Sequence, residues 1–284
     1  METKGKIIFL DWGMFIFKSI FAWRRNKEMF PEYICMNMIL SCLRKIGVEP
    51  FDTIIIACDK GRSWRKEIDL AYKADRKEKR DAYEDIDWKI MFRKFDNLLD
   101  KINAGTDWHI VSAEHLEADD WMSAGARYYK DKEVILVTFD ADMEQLAIYP
   151  NVKIFSPMIK VKGKKGGYKI IKNPYLVLSK KIQKETADNL EAVGITNEDY
   201  EKRKMIVSLL ELPNYIENTC QETFNNLEEK ENYNLEEVPF PSIKSKISGL
   251  YNDKSAIITY EDCIEYKEKK NKRKSKRAKA RRKN

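Results

Sequence analysis

The feature that most restricts the fold is a pattern met three times, a short apolar run that stops on an aspartate. The runs are Lys6-Ile7-Ile8-Phe9-Leu10-Asp11, Thr53-Ile54-Ile55-Ile56-Ala57-Cys58-Asp59 and Val134-Ile135-Leu136-Val137-Thr138-Phe139-Asp140. None alternates apolar with polar residues, so both faces of each strand must be covered, as in a parallel sheet between layers of helix. The intervals show helical spacing: residues 31–47 place Ile34, Met38 and Cys42 on one stripe and end on a glycine suited to the C′ position. Strands alternating with helices define an α/β chain. In such sheets ligands bind beyond the carboxyl ends of the strands, which is where Asp11, Asp59 and Asp140 are expected.

A further strand is expected near residues 108–111, a helix over 117–130, a short edge strand at 152–155 and a hairpin turn at 161–168. The hairpin is rich in Lys and Gly but lacks the G-x-x-x-x-G-K-[ST] spacing of a phosphate-binding loop. Residues 62–105 read as long, charged and helical, with Arg62, Arg65, Lys66, Lys73, Arg76 and Arg80 close behind the second strand. Trp64, Tyr72, Tyr83 and Trp88 are interleaved with them. So little apolar area per turn suggests an exposed segment. From about residue 173 the pattern is helical, over 174–184, 200–212, 215–227 and 243–251, with Pro213, Pro239 and Pro241 as punctuation. The expected organisation is an α/β domain over residues 1–172, a helical subdomain over 173–262 and a disordered basic tail over 263–284.

That tail is the main asymmetry of charge. Residues 267–284 hold twelve Lys/Arg against the single acid Glu268, so they carry +11 where the whole chain is +7, and the rest is slightly acidic. Such a run suits a polyanion; a passive solvated terminus or a targeting signal are the other readings. No stretch approaches the roughly 18 apolar residues of a membrane span, and no cleavage site follows the first apolar run, so neither a membrane protein nor secretion is expected. The five cysteines are odd in number without C-x-x-C spacing, which leaves no disulfide framework or zinc knuckle. With only His109 and His115 in the chain, any metal must be held mainly by oxygen.

The acids with chemical potential are Asp11, Asp59, the quartet Glu117-Ala118-Asp119-Asp120 and the pair Asp140-Ala141-Asp142. Glu117 and Asp120, three apart, share a helix face. One acid after a strand is usually a loop residue or an N-cap, and Asp142 suits the cap of the helix containing Leu146. A whole set at one sheet edge would repel itself without bound cations. Oxygen-only ligands indicate Mg²⁺ or Mn²⁺ rather than Zn²⁺.

These residues carry a family resemblance. Leu10-Asp11-Trp12-Gly13, Asp59-Lys60-Gly61 with Trp64-Arg65, Tyr72-Lys73-Ala74-Asp75-Arg76, Glu117-Ala118-Asp119-Asp120 and Asp140-Ala141-Asp142-Met143-Glu144-Gln145-Leu146 resemble, in order and spacing, the signatures of the flap endonuclease and 5′→3′ exonuclease family. The resemblance implies a PIN-like α/β core, a helical arch over about residues 62–105, and hydrolysis of phosphodiesters near the 5′ end of flap DNA or RNA/DNA duplexes. It makes Asp11, Asp59, Glu117, Asp119, Asp140 and Asp142 metal-site acids, with Asp120 in support and two Mg²⁺ or Mn²⁺ ions. Lys73 and Arg76, with Asp140 and Asp142, become the catalytic candidates. Arg62, Arg65, Lys66, Tyr72, Lys73, Arg76 and Arg80 become candidate nucleic-acid contacts.

Further along, Lys184-Glu185-Thr186-Ala187-Asp188-Asn189-Leu190 resembles the family segment whose two acids complete the second metal site, here Glu185 and Asp188. Only Ala192-Val193-Gly194-Ile195 stands where the family has a longer duplex-gripping hairpin, and Phe139 replaces a glycine before Asp140. Residues 199–251, including Leu212-Pro213-Asn214-Tyr215-Ile216, resemble the ribonuclease H of T-even-type phages. The implied protein is a phage-encoded monomer in the host cytoplasm that removes primers or flaps during replication. A phage single-stranded-DNA-binding protein is a candidate partner. The alternative is a non-catalytic accessory that binds branched DNA and keeps the nuclease fold.

Overall fold

The computed structural model describes residues 5–178, 197–230, 232–252 and 254–281. Its strands are β1 (Ile7–Asp11), β2 (Thr53–Ala57), β3 (His109–Val111), β4 (Val134–Val137), β5 (Val152–Val161) and β6 (Lys164–Tyr168). The helices are α1 (Trp12–Arg25), α2 (Pro31–Ile46), α3 (Arg65–Ile68), α4 (Asp75–Asp81), α5 (Trp88–Gly105), α6 (Ala118–Tyr128), α7 (Asn197–Val207), α8 (Asn214–Asn225), α9 (Pro241–Ser248) and α10 (Tyr260–Arg281).

The three Asp-terminated runs lie side by side, with Ile8 of β1 opposite Ile54 of β2 and Ile135 of β4, all parallel. The full strand order is β3-β2-β1-β4-β5-β6, in which only β6 runs antiparallel to its neighbour. From β1 the chain steps outward to β2 and β3, then crosses back to β4 and steps outward the other way. The order therefore reverses between β1 and β4, and a crevice opens there at the carboxyl ends of the strands.

Continuous apolar runs are explained by two separate cores. Ile8 and Leu10 of β1 pack with Met36, Leu40 and Phe95 on one face, while Ile7 and Phe9 pack with Trp121, Leu146 and Phe224 on the other. Each fully buried side chain of this size contributes about 1.5–3 kcal/mol. Local signals set the helix ends: Asp11 accepts the Met14 amide at 2.9 Å to cap α1, and Pro31 opens α2, which closes on Gly47 at φ 73.

Several expectations need correction. The charged segment 62–105 is not one exposed arch but the short α3 and α4 followed by α5, which is a core helix. Met91, Phe95, Leu98 and Ile102 form its buried stripe, which the charged average of the segment hides. β5 is ten residues long and is not an edge, because β6 pairs with it through the Lys162-Gly163 turn, where both φ angles are positive. α7 stops at Val207 rather than 212. Part of the expected 174–184 helix and the shortened hairpin around Ala192–Ile195 lie outside the described residues.

The expected disordered tail is helical through Arg281. Thr259 and Asp262 exchange hydrogen bonds in a capping box, Cys263 is buried beside Tyr168, and Lys267 Nζ donates to the Ile170 carbonyl at 2.7 Å. Lys, Arg, Glu and Ala are strong helix formers, so an anchored first turn propagates. Among the described residues all five cysteines are buried and unpaired, and no helix is long and apolar enough to cross a membrane.

Gly125 allows α6 its approach to the sheet, because a Cβ there would overlap the fully buried Phe9 ring. Phe9 cannot retreat, since it meets Phe224 edge-on at 5.9 Å. Gly125→Ala is expected to lower unfolding free energy by about 1–3 kcal/mol, read from the urea midpoint against wild type.

Candidate active site

Six separate segments deliver charged groups to the crevice. Asp11 ends β1, Asp59 follows β2, Glu117, Asp119 and Asp120 open α6, and Asp140 and Asp142 follow β4. Lys73 and Arg76 come from the α3–α4 region and Arg203 from α7. Lys73, Arg76, Asp119, Asp140, Asp142 and Arg203 line one cleft of about 580 Å³.

The acids at the start of α6 divide into two groups because successive helical residues turn by about 100°. Glu117 and Asp120 are buried and drawn to Arg65, a guanidinium only 1% exposed. Arg65 Nη1 donates to Glu117 Oε2 at 2.9 Å, and Nη2 forms an ion pair with Asp120 Oδ1 at 2.8 Å. Arg65 Nε donates to the Ile206 carbonyl at 2.9 Å, which seats α7. Asp120 also accepts from Trp64 Nε1 and from the Glu117 amide, so it works as a cap and counter-charge. Glu117 accepts from Ser63, Tyr72 and Lys73 as well. Burial pushes its carboxyl up, but the Lys73 and Arg65 charges outweigh that and hold it below its ordinary value. Burial raises Asp120, against the opposing Arg65 charge.

Asp119 turns the other way. Burial raises its carboxyl well above the ordinary value against the pull of Lys73, and the charges of Asp11, Asp140 and Asp59 raise it further. Asp11 is pushed up to about 6, by burial first and then by Asp59 and Asp140, although the Met14 amide and the Thr138 hydroxyl act downward. These four carboxylates therefore share one electrostatic neighbourhood. Asp59 accepts the Ala118 amide at 2.7 Å, which ties the exposed loop after β2 to α6. Asp140 accepts the Asp142 amide at 2.9 Å, so Asp140 rather than Asp142 shapes the turn into the 3-10 helix Asp142–Ile148.

As a donor set, Asp11, Asp59, Asp119, Asp140 and Asp142 suit a hard divalent cation, whose charge would relieve the crowding that raises Asp11 and Asp119. Among the described residues no three acids, histidines or cysteines are already drawn into a closed cage. Glu117 and Asp120 are committed to Arg65, Lys73 and their neighbours instead. Glu185 and Asp188 lie outside the described residues.

The expected nucleic-acid contacts divide similarly. Arg65 is removed from that role by burial. Arg80 is partly buried, with its guanidinium 5.9 Å from the Phe92 ring, and Lys66 is also partly buried. Arg62 is exposed, Arg76 is exposed on the cleft, and Tyr72 donates to Glu117. Lys73 has φ 53, a left-handed conformation costing about 1–2 kcal/mol for a residue with a Cβ. That backbone holds Nζ 2.6 Å from Glu117 Oε1.

Sequence reasoning missed several supports. Thr138 donates to Asp11 Oδ2 at 2.8 Å and accepts the Asp140 amide at 3.1 Å, which joins the two strand-end acids. Lys169 Nζ donates to the Asp140 carbonyl at 2.9 Å. Gln145 donates to the Val207 carbonyl and accepts the Leu209 amide, which positions the end of α7 and so Arg203. A threonine after a strand and a lysine after a hairpin carry no periodicity or motif that would single them out.

With that geometry, the comparison with known proteins is direct. The 5′-3′ exonuclease N-terminal resolvase-like domain matches residues 6–178, over half of the chain, so the chain belongs to that family. Ribonuclease H of Enterobacteria phage T4 is 25% identical over 173 residues, covering 59% of this chain and 55% of that protein. The chain thus spans about half the length of the curated relative it matches. The bacteriophage T5 5′-exonuclease with bound divalent metal ions (zinc) superposes with TM-score 0.50 at 16% identity, over 78% of this chain and 100% of that one. The T5 flap endonuclease in a pseudo-enzyme–product complex with DNA and metal ions gives the same score and identity, over 78% and 98%. At that identity the likeness establishes a shared PIN-like nuclease fold.

Two outcomes follow from the electrostatics. Folded Asp11 binds its proton more tightly than the unfolded chain, whose ordinary value is 3.8, so its ionisation destabilises the fold above about pH 6. Asp11→Asn, which keeps a capping oxygen, should be more stable than wild type at pH 7.5 without divalent cation. Its advantage should disappear as pH falls from about 6 towards 4, in urea titrations at each pH. Arg65→Met leaves two buried carboxylates without their partner and should cost about 3–5 kcal/mol at pH 7, measured the same way.

Proposed function

We propose that this protein is a divalent-cation-dependent, structure-specific 5′ nuclease that hydrolyses phosphodiesters near the 5′ end of flap DNA or RNA/DNA duplexes. The observation that carries this reading is the electrostatic coupling of Asp11, Asp59, Asp119 and Asp140 at the strand-order reversal, with Lys73, Arg76 and Arg203 on the same cleft. Membership of the 5′-3′ exonuclease family supports it, as does the DNA and metal complex of the structurally similar T5 enzyme. Removal of primers or flaps during phage replication, in the host cytoplasm, is the setting that fits the phage relatives.

Asp11, Asp59, Asp119, Asp140 and Asp142 would hold Mg²⁺ or Mn²⁺, with Glu185 and Asp188 assigned to a second ion. A cation there supplies Lewis-acid stabilisation of the phosphate and of the attacking water. The chain itself supplies fixed positive charge. Lys73 exchanges Glu117 for a phosphate oxygen as substrate enters, and Arg76 meets the same group from the exposed side, so both oppose the charge that grows in the transition state. Tyr72 and Arg65 keep Glu117 satisfied once Lys73 has left it. Neither histidine lines the cleft, and His115 is bonded to the Arg62 carbonyl, so no imidazole serves as the base.

On labelled 5′-flap DNA with Mg²⁺, Asp140→Asn should cut at least about a hundredfold more slowly, while binding equally or more tightly because repulsion against phosphate is reduced. Lys73→Ala should lower the single-turnover rate more than it weakens binding. Wild-type protein that binds the flap but never cuts it would establish the accessory role instead.

A further inference from the structure

α10 carries a run of charge that the candidate site leaves unused, and it lies beyond the family match, which ends at residue 178. Its first turns are seated on the body, but from Lys267 to Arg281 it offers only Ala278 and Ala280 as apolar residues. Like charges recur four apart at Lys269/Arg273, Lys270/Lys274, Lys272/Lys276 and Arg273/Arg277, and each pair opposes the helix. The attractive pairs stand near its start, Glu265 with Lys269 at 3.1 Å and Glu268 four residues before Lys272. A helix of this kind has nothing to pack on a protein core and calls for an external polyanion.

Its position narrows which polyanion. Just before α10 the Ile258 amide donates to the Lys45 carbonyl at 2.8 Å, and the Lys45 side chain passes Gly166 of β6. Lys45 and Lys165 stand in a groove of about 720 Å³ that also holds Lys18 and Arg25 and has no acidic residue on its walls. Phe139 lies on that groove, 40% exposed under the Lys18 ammonium at 4.5 Å, and is next in sequence to Asp140 of the cleft. This groove, with four basic residues on its walls, thus runs from beside the Asp140 turn towards the segment that leads into α10. A second linkage is short: Lys169 donates to the Asp140 carbonyl, and the next residue, Ile170, accepts from Lys267 of α10.

At about 100° per residue, the basic positions from Lys267 to Arg281 cover about two thirds of the helix circumference, leaving one stripe through Glu268, Asn271, Ser275 and Ala278. A single strand has one line of phosphates and would satisfy one side of such a rod. A duplex major groove, about 12 Å wide, admits a helix about 10–12 Å across and puts phosphates on both walls. We propose that α10 lies in the major groove of the duplex arm of a branched substrate, as a sequence-independent clamp on the arm that leaves the cleft over Phe139. This rests on the nuclease reading of the cleft and adds to it the element that holds the duplex.

The test compares full-length protein with a variant carrying Lys269→Gln, Lys270→Gln, Lys272→Gln and Arg273→Gln, and with a charge-keeping control carrying Lys269→Arg, Lys270→Arg and Lys272→Arg. Binding to a 5′-flap DNA and to its single strand alone is measured without divalent cation over about 50–200 mM salt. Once these four side chains no longer neutralise phosphates, the log–log salt slope on the flap should become shallower by about 3.6, and by at least about 2 if only some are engaged. Flap affinity at the lowest salt should fall at least about tenfold, single-strand affinity should change far less, and the arginine control should match wild type. Equal flap slopes for wild type and the glutamine variant, at matching unfolding midpoints, would overturn the clamp and leave an acidic protein as the helix's partner. An equal loss on flap and single strand would overturn the duplex assignment. Failure of full-length protein to cut the flap with Mg²⁺ would instead count against the nuclease reading, since the binding comparison does not depend on cleavage.

Discussion

Arg65 carries a fixed charge to a place almost sealed from water, and the surrounding architecture is arranged to neutralise it. An unpaired buried guanidinium would cost several kcal/mol, so Glu117, Asp120 and the Ile206 carbonyl are all committed to it. That commitment ties α3, the first turn of α6 and the end of α7 to one point. It also sorts the acids: two are drawn inward to Arg65, and Asp119 between them is left facing the strand-end carboxylates. The helix start supplies the capping geometry as well, since Asp120 and Glu117 form a reciprocal box.

The cleft is the opposite electrostatic case. Asp11, Asp59, Asp119 and Asp140 crowd one another, and the pull of Lys73 on Asp119 does not offset burial, so the rise of Asp11 and Asp119 records the cost. Fold stability elsewhere offsets this crowding, through two apolar cores that hold the strand ends at fixed spacing whatever the charges prefer. Thr138 and Lys169 prevent the Asp140 turn from relaxing away from Asp11. The strained Lys73 backbone serves the same positioning, because it aims one flexible cation at the boundary between the satisfied acids and the crowded ones.

The hairpin of β5 and β6 links regions that sequence order keeps far apart. Its exit segment touches the Asp140 turn through Lys169 and α10 through Ile170, and its face lines the basic groove. On the proposed reading, this connection links the helix that would hold a duplex to the turn beside which a phosphodiester would be presented. A freely extended tail could not do so, since it would follow any phosphate backbone without orienting it.

The amino-acid sequence by itself determined the parallel sheet and the edge at which chemistry collects. Unbroken apolar runs permit only strands covered on both faces, and an aspartate closing each run must fall at the carboxyl end. It also set the expectation that any metal is held mainly by oxygen, because the chain has only two histidines and no C-x-x-C pair to offer. Only the tertiary structure decided which acids face which partner. Glu117, Asp119 and Asp120 are indistinguishable as letters, and their division depends on a helix start meeting Arg65, a residue whose burial no charge pattern reveals. The same limit hid the core stripe of α5 within a charged segment and the order of the basic tail, which follows from a capping box and a few contacts with β6. Periodicity reports what one segment can bury; which charge is neutralised, and by what, is set by groups that meet only after the chain has folded.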